Sequence, residues 1–229
     1  MTSENGAVPV WARPPAGRRT TLSREAIVAA AVAVADAEGL AAVSIRRVAA
    51  ELGARAMSLY TYIERKEDLL DLMADEVIAE AHVAEPLPSD WREATMTIAR
   101  SERAAVRHHP WLVELISRRE AVGPNGLRHL EQSVAALSGL GLDRAATLRI
   151  LAAVGDYTRG FILREHNAAD PRRTAAVDRY FKERVGTGAY PHLEPMFRDG
   201  VPEQEDTFEI GLTWLLNGIA AGLDREESP

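Results

Sequence analysis

Nine side chains between Arg46 and Lys66 have the types and spacing to grip a nucleic acid: Arg46, Arg47, Arg55, Met57, Ser58, Tyr60, Thr61, Tyr62 and Lys66. An arginine meets a phosphate as a charge or a guanine edge with two parallel hydrogen bonds. With Leu59 facing inward on a helix, steps of about 100° place Ile63 on the same side and Tyr60 and Tyr62 on the flanks. Met57, Ser58 and Thr61 then point outward. A small, uncharged outward face is unlike an ordinary solvated one. It suits a helix laid in a major groove, with Ser and Thr at base edges, Met against a thymine methyl and the tyrosines at phosphates on either side. Lys66 opens the next helix, whose first backbone N–H groups are placed to bind an anion. Helix pairs of this shape also occur in proteins that bind no DNA, so simple packing stays open on geometry alone.

Catalytic chemistry has less to stand on. The chain has no GxxxxGK, HExxH or GxSxG and no cysteine, which removes a thiolate zinc site, an iron–sulfur cluster, a cysteine nucleophile and a disulfide framework. Its six histidines are scattered, with only His108 and His109 adjacent. The paired carboxylates, Glu203, Glu205 and Asp206 or Glu226 and Glu227, fall in turn or terminal stretches and read as solvated charge. An all-α enzyme is therefore the weaker competing class, and no metal ligand and no cofactor is predicted.

The elements that position the basic and hydroxyl groups are all helices. Nearly every segment repeats its apolar residues at helical period, and no alternating β-branched run is long enough for a strand, so the expected fold is all-α. Residues 1–22, with Pro9, Pro14, Pro15, Gly6 and Gly17, read as a flexible arm carrying Arg13, Arg18 and Arg19. Ser23 caps an expected helix 24–38 closed by Gly39, Ser44 caps a second that stops at Gly53, and a third runs 57–63. A longer amphipathic helix covers 67–83, and further helices are expected at 90–108, 111–120, 124–138, 144–167, 172–185 and 207–223. The resulting division is an arm at 1–22, a helix-turn-helix head at 23–66 and a larger helical body at 67–229.

Charge follows the same division. The 229 residues carry a net −7, yet residues 1–66 hold nine Lys+Arg against six Asp+Glu, leaving the remainder at −10. A short basic segment suits contact with a polyanion and an acidic body suits staying clear of it. Hydrophobic residues at 46% and charged residues at 27% are ordinary for a globular chain. No apolar run reaches the roughly 18 residues of a membrane helix, and the first residues lack an export signal, so a cytoplasmic location with no membrane partner is expected.

The run from Ser23 to Leu70, with SREAIVAAAVAVADAEG, then VSIRRVAAELG, then MSLYTYIERKEDLL, resembles the DNA-binding region of the TetR/AcrR family of bacterial transcriptional regulators. The tetracycline-repressor-like branch is the most similar. Its recognition helix runs into Leu-Tyr-x-His and its C-terminal part ends in a helix like Phe208, Glu209, Gly211 and Leu212 here, while Tyr62 stands where that branch often has histidine. The resemblance implies a homodimer with two heads on one palindromic double-stranded operator, each recognition helix starting near Met57, with a phosphate contact by Lys66. It implies a ligand-responsive regulator, a repressor released from DNA by a small-molecule effector. A relative that has lost operator binding and acts through protein contacts is the alternative, against which Arg46, Tyr60 and Lys66 weigh.

For the effector, mixed apolar and polar residues of the body are candidates: His82, Ile98, Glu102, His109, Trp111, Leu115, Ile116, Leu130, Val134, Tyr157 and Phe161. By the resemblance, His82 falls where tetracycline repressors contact drug with histidine. A second drug contact and the metal-ligating histidine fall at Ile98 and Ile116 here, so a metal–tetracycline complex is not expected and an apolar or weakly polar molecule is. For the dimer, helix 144–167 offers Leu148, Leu151, Gly155 and Ile162, and helix 207–223 offers Leu212, Leu215, Ile219 and Gly222. Glycine inside a helix costs roughly 1 kcal/mol against alanine, so Gly211, Gly218 and Gly222 point to close approach by another helix. The same residues could instead build a monomer core, while the resemblance favours a four-helix bundle across the dimer.

Overall fold

A computed structural model describes residues 11, 22–116, 123–168, 171–185, 187–197 and 206–226 of the chain. Among them every regular element is helical: α1 (Arg24–Glu38), α2 (Ile45–Glu51), α3 (Ala56–Leu59), α4 (Lys66–Ile78), α5 (Trp91–His108), α6 (Leu112–Ile116), α7 (Pro124–Leu137), α8 (Arg144–Ala168), α9 (Pro171–Val185), α10 (Glu194–Phe197) and α11 (Phe208–Glu226). The arm's arginines, the expected end of the helix at 111–120 and the side chain of Ile116 lie outside the described residues. Packing divides the chain into two compact units, Met1–Leu151 and Ala152–Pro229, with the boundary inside α8.

Local chemistry sets the head. The Ser23 hydroxyl accepts the Ala26 N–H at 3.1 Å and the Ser44 hydroxyl accepts that of Arg47 at 3.1 Å, so two orphan donors are satisfied where α1 and α2 begin. Gly53 turns the chain after α2 with φ +61°, a left-handed conformation that a side chain would oppose. Ile27, Val34, Val48, Leu59, Ile63, Leu69 and Met73 close one core, so α1, α2, α3 and the start of α4 bury their apolar faces together.

Three expectations about elements need correction. The recognition helix is shorter than 57–63: α3 ends at Leu59, and its carbonyl then takes the N–H groups of both Tyr62 and Ile63 at 2.9 Å, a tightened last turn. The helix expected through residue 83 ends as a 3-10 turn over Ala79–Ala81, after which His82 is extended. A short helix, α10, stands between the helices expected at 172–185 and 207–223, where no element is predicted, with the Phe197 ring 5.3 Å from Phe181 of α9.

Candidate functional site

The head presents the expected outward face. Leu59 and Ile63 are fully buried, while Met57 (75% exposed), Ser58 and Thr61 point away from the core. Tyr60 is 48% exposed beside them and Tyr62 is half-buried. Arg46, Arg55 and Lys66 are exposed around this patch, Arg55 just before α3 and Lys66 at the first position of α4. An uncharged, hydrogen-bonding ridge ringed by three cations and two phenols is suited to meet base edges and phosphates together.

Arg47 differs from its neighbour. Its guanidinium donates to Glu38 at 2.6 and 3.0 Å and to Glu51 at 2.9 Å, holding the end of α1 against α2. Hydrogen bonds to these two carboxylates raise its pKa further. These bonds brace α1 against α2 and occupy three of the five guanidinium N–H donors. Sequence reading also passed over Arg65, which precedes α4 and pairs with the buried Asp68 at 2.9 Å. That pair, three residues apart, was visible in the spacing.

The residues expected to line one effector pocket are placed in several environments. Ile98 belongs to a buried cluster with Ala94 and Ala136, packed by Val83 and Leu87. His109 and Trp111 turn toward α1: the His109 Nδ1 lies 2.7 Å from Asp36, and the Trp111 indole N–H donates to the same carboxylate oxygen at 2.6 Å. Leu115 is buried, whereas Leu130 and Val134 stand 47% and 38% exposed on the outer side of α7. Tyr157 and Phe161 join Phe208 in an aromatic cluster of the second unit, with centroids 5.1–6.2 Å apart. An open depression of about 570 Å³ lies between residues 85–91 and the end of α7, lined by Leu87, Trp91, Gln132 and Leu140, none of them an expected pocket residue.

What the structure does bring together is α4, α5 and α7. The His82 ring nitrogen Nε2 lies 3.0 Å from the Asn125 carbonyl. Glu102 of α5 approaches His129 of α7 at 3.8 Å. The His129 Nδ1 is buried and has no hydrogen-bond partner among the described residues. Burial, with His82 nearby, holds the His129 pKa below its ordinary value. Asp75 of α4 accepts the backbone N–H groups of Asn125 (3.2 Å) and Gly126 (2.9 Å) in the first turn of α7. The Gln132 amide pairs with both backbone groups of Val83, at 2.7 and 3.1 Å. Asp75, His129 and Gln132 were missed because their partners lie far away in sequence; a polar residue on an otherwise inward helix face was the available signal.

The low His129 pKa has a measurable consequence. An unfolded histidine titrates at about 6.5, so near that pH the unfolded chain binds more protons than the fold does. This contribution to stability is fully present above that value and is lost as pH falls through it toward the folded pKa. Thermal melts should therefore show a smaller drop in Tm between pH 8 and pH 5 for His129→Leu than for the unaltered chain; equal drops would reject the assignment.

In the second unit α11 has two faces. Phe208, Leu212 and Leu216 are buried, as is Ile162 of α8, so Leu212 and Ile162 are core residues and not the surface expected of them. Leu215, Ile219, Gly222, Leu151 and Gly155 are half-buried, and Leu148 is 52% exposed. A side chain at Gly211 would collide with Tyr157 of α8, which explains that glycine within the chain; Gly218 and Gly222 face open space.

Residues 27–73 match the family described as bacterial regulatory proteins, tetR family, and residues 85–223 match the tetracyclin repressor-like C-terminal domain. The HTH-type transcriptional repressor DrrR1 of Streptomyces coeruleorubidus is 33% identical over 217 residues, covering 90% of this chain and 80% of its own. The crystal structure of the Streptomyces coelicolor TetR family protein ActR in complex with actinorhodin aligns with a TM-score of 0.78 at 27% identity, covering 89% of this chain and 97% of ActR. BioQ, crystallised with its natural double-stranded DNA operator, aligns with a TM-score of 0.63 at 25% identity, covering 88% and 99%. Helix-turn-helix head and helical body thus define a transcriptional regulator. The chain belongs to the TetR family, with a C-terminal part of the tetracycline-repressor-like kind.

Proposed function

We propose that the protein is a cytoplasmic repressor that binds a palindromic double-stranded operator as a homodimer and leaves it when a small molecule binds the body. It acts by binding and not by catalysis. The observation that carries the reading is the exposed Met57, Ser58 and Thr61 ridge, ringed by Arg46, Arg55, Tyr60 and Lys66 over the buried Leu59. No helix among the described residues is long and apolar enough to cross a membrane. BioQ, seen with its DNA operator, and ActR, seen with actinorhodin, support the two halves of the reading.

Titration of the full chain onto DNA from its own promoter region tests it. Affinity should fall steeply with salt as phosphate counterions return. Lys66→Ala and Tyr60→Phe should weaken binding on every sequence alike, whereas Ser58→Ala and Thr61→Ala should change which sequence is preferred. Arg46→Ala should weaken binding more than Arg47→Ala, since Arg47 is held by Glu38 and Glu51. Absence of binding, or binding indifferent to salt, would leave the reading through protein contacts.

Release works through α4. Lys66 begins that helix and Asp75 lies further along it, fastened to α7, with His82 beyond the following turn fastened to α7 as well. An effector seated near His82, Glu102 and His129 and pressing on α7 moves the element that carries a phosphate contact. Two heads on half-sites a fixed turn apart tolerate little change in spacing. The buried His129 Nδ1, without a hydrogen-bond partner among the described residues, offers a place for a hydroxyl or phenol, which suits a weakly polar ligand. Operator and effector must weaken each other by the same factor.

A further inference from the structure

We propose that Glu80, His108 and His109 form a binding site for a divalent transition metal of the zinc class, with Asp36 orienting the buried imidazole. The three ligand atoms converge: the Glu80 carboxylate lies 3.1 Å from the His109 Nε2 through one oxygen and 3.2 Å from the His108 Nδ1 through the other, and all three groups offer atoms within 4.8 Å of one another. Ligands on a tetrahedral zinc, at bond lengths of about 2.0–2.2 Å, sit about 3.3 Å apart, near the two Glu80–histidine distances and within reach of a small side-chain adjustment for the third pair.

The chemistry of His109 carries the argument. Its Nδ1 lies 2.7 Å from Asp36, whose carboxylate oxygen also takes the Trp111 N–H, and its Nε2 lies 3.1 Å from Glu80, so with Nδ1 donating to Asp36 the Nε2 lone pair faces a carboxylate. A lone pair and a carboxylate oxygen at that distance repel unless a cation lies between them. A proton satisfies that pair alone, with His108 Nδ1–H donating to the other Glu80 oxygen at 3.2 Å, whereas a metal ion draws all three groups onto one centre. Carboxylate, histidine and metal in line is the arrangement by which a buried imidazole is fixed as a ligand. Two imidazoles and one carboxylate suit zinc, with the exposed side left for water. His109 is buried while His108 is exposed, so the ion enters from solvent. Bound there, it joins the end of α1, through Asp36, to the turn after α4 and the end of α5.

Calorimetric titration of zinc chloride into the chelator-stripped full chain should give one saturable site per chain, and cobalt(II) should give visible d–d bands there. His108→Ala, at an exposed position that leaves the fold intact, should weaken binding at least tenfold and remove the cobalt bands. Glu80→Gln should do the same. Asp36→Asn, which retains an acceptor for Trp111, should weaken binding about 10- to 100-fold. His192→Ala should leave it unchanged. Failure to saturate at one ion per chain, or His108→Ala binding as tightly as the unaltered chain, overturns the proposal.

Discussion

Alanine at position 75 is expected to lower stability by about 2–4 kcal/mol and to sever effector from operator. The Asp75 carboxylate is 7% exposed and accepts two N–H groups at the start of α7, at 2.9 and 3.2 Å. A lost N-cap costs about 0.5–2 kcal/mol, and a buried N–H left without a partner adds about 1–3 kcal/mol. The carboxylate also fills the place a side chain at Gly123 would need, so Gly123→Ala should destabilise through the same contact. Asp75→Asn keeps one acceptor oxygen and should cost less. Urea unfolding monitored by circular dichroism reads the loss as a lower midpoint at unchanged slope. In conditions where the variant remains folded, operator affinity without effector should stay near that of the unaltered chain, while effector no longer reduces it. A variant as stable as the parent would show that α4 and α7 are not fastened at this point.

The contrast between Asp75 and Ser58 marks how far the sequence could be read. Ser58 faces outward because Leu59 and Ile63 face in, a relation held within one turn and recoverable from helical period alone. The caps at Ser23 and Ser44 are equally local, since each hydroxyl bonds a backbone three residues on. Asp75 reaches residues 50 and 51 positions away, which no period reveals. On α7 the apolar spacing of Leu127, Leu130 and Val134 resembles an inward face, yet these are exposed and Gln132, Ala136 and Leu137 are buried. The helix is rotated that way because Asp75 fixes its first turn and Gln132 pairs with Val83. Period identifies that a helix has faces, whereas tertiary hydrogen bonds decide which one turns inward. His109 and Trp111 show the same limit, since both reach Asp36 of α1, 73 and 75 positions away.

Glutamate in place of Trp214 is expected to convert the proposed homodimer to monomer and with it to remove selective operator binding. Trp214 is 73% exposed on α11, Ile210 one turn before it is 47% exposed, and a side chain at Gly218, one turn after it, would meet nothing among the described residues. These positions are spaced by four, so they form one stripe opposite the buried Phe208, Leu212 and Leu216. Leu163 of α8 adds a further exposed apolar side chain in the same unit, at 41%. A tryptophan left this open beside a glycine is suited to the close approach of a helix from a second copy, where buried aromatics supply about 2 kcal/mol or more each. A carboxylate there must be desolvated without a partner, which adds to the loss. The fold should survive, because the side chain takes no part in the core; thermal melts then separate a lost dimer from a lost fold. Light scattering should report a monomer at concentrations where the parent is a dimer. One head contacts too few bases for selectivity, so operator binding should fall to the level of unrelated DNA. A Trp214→Glu chain that remains dimeric would place the interface on another surface.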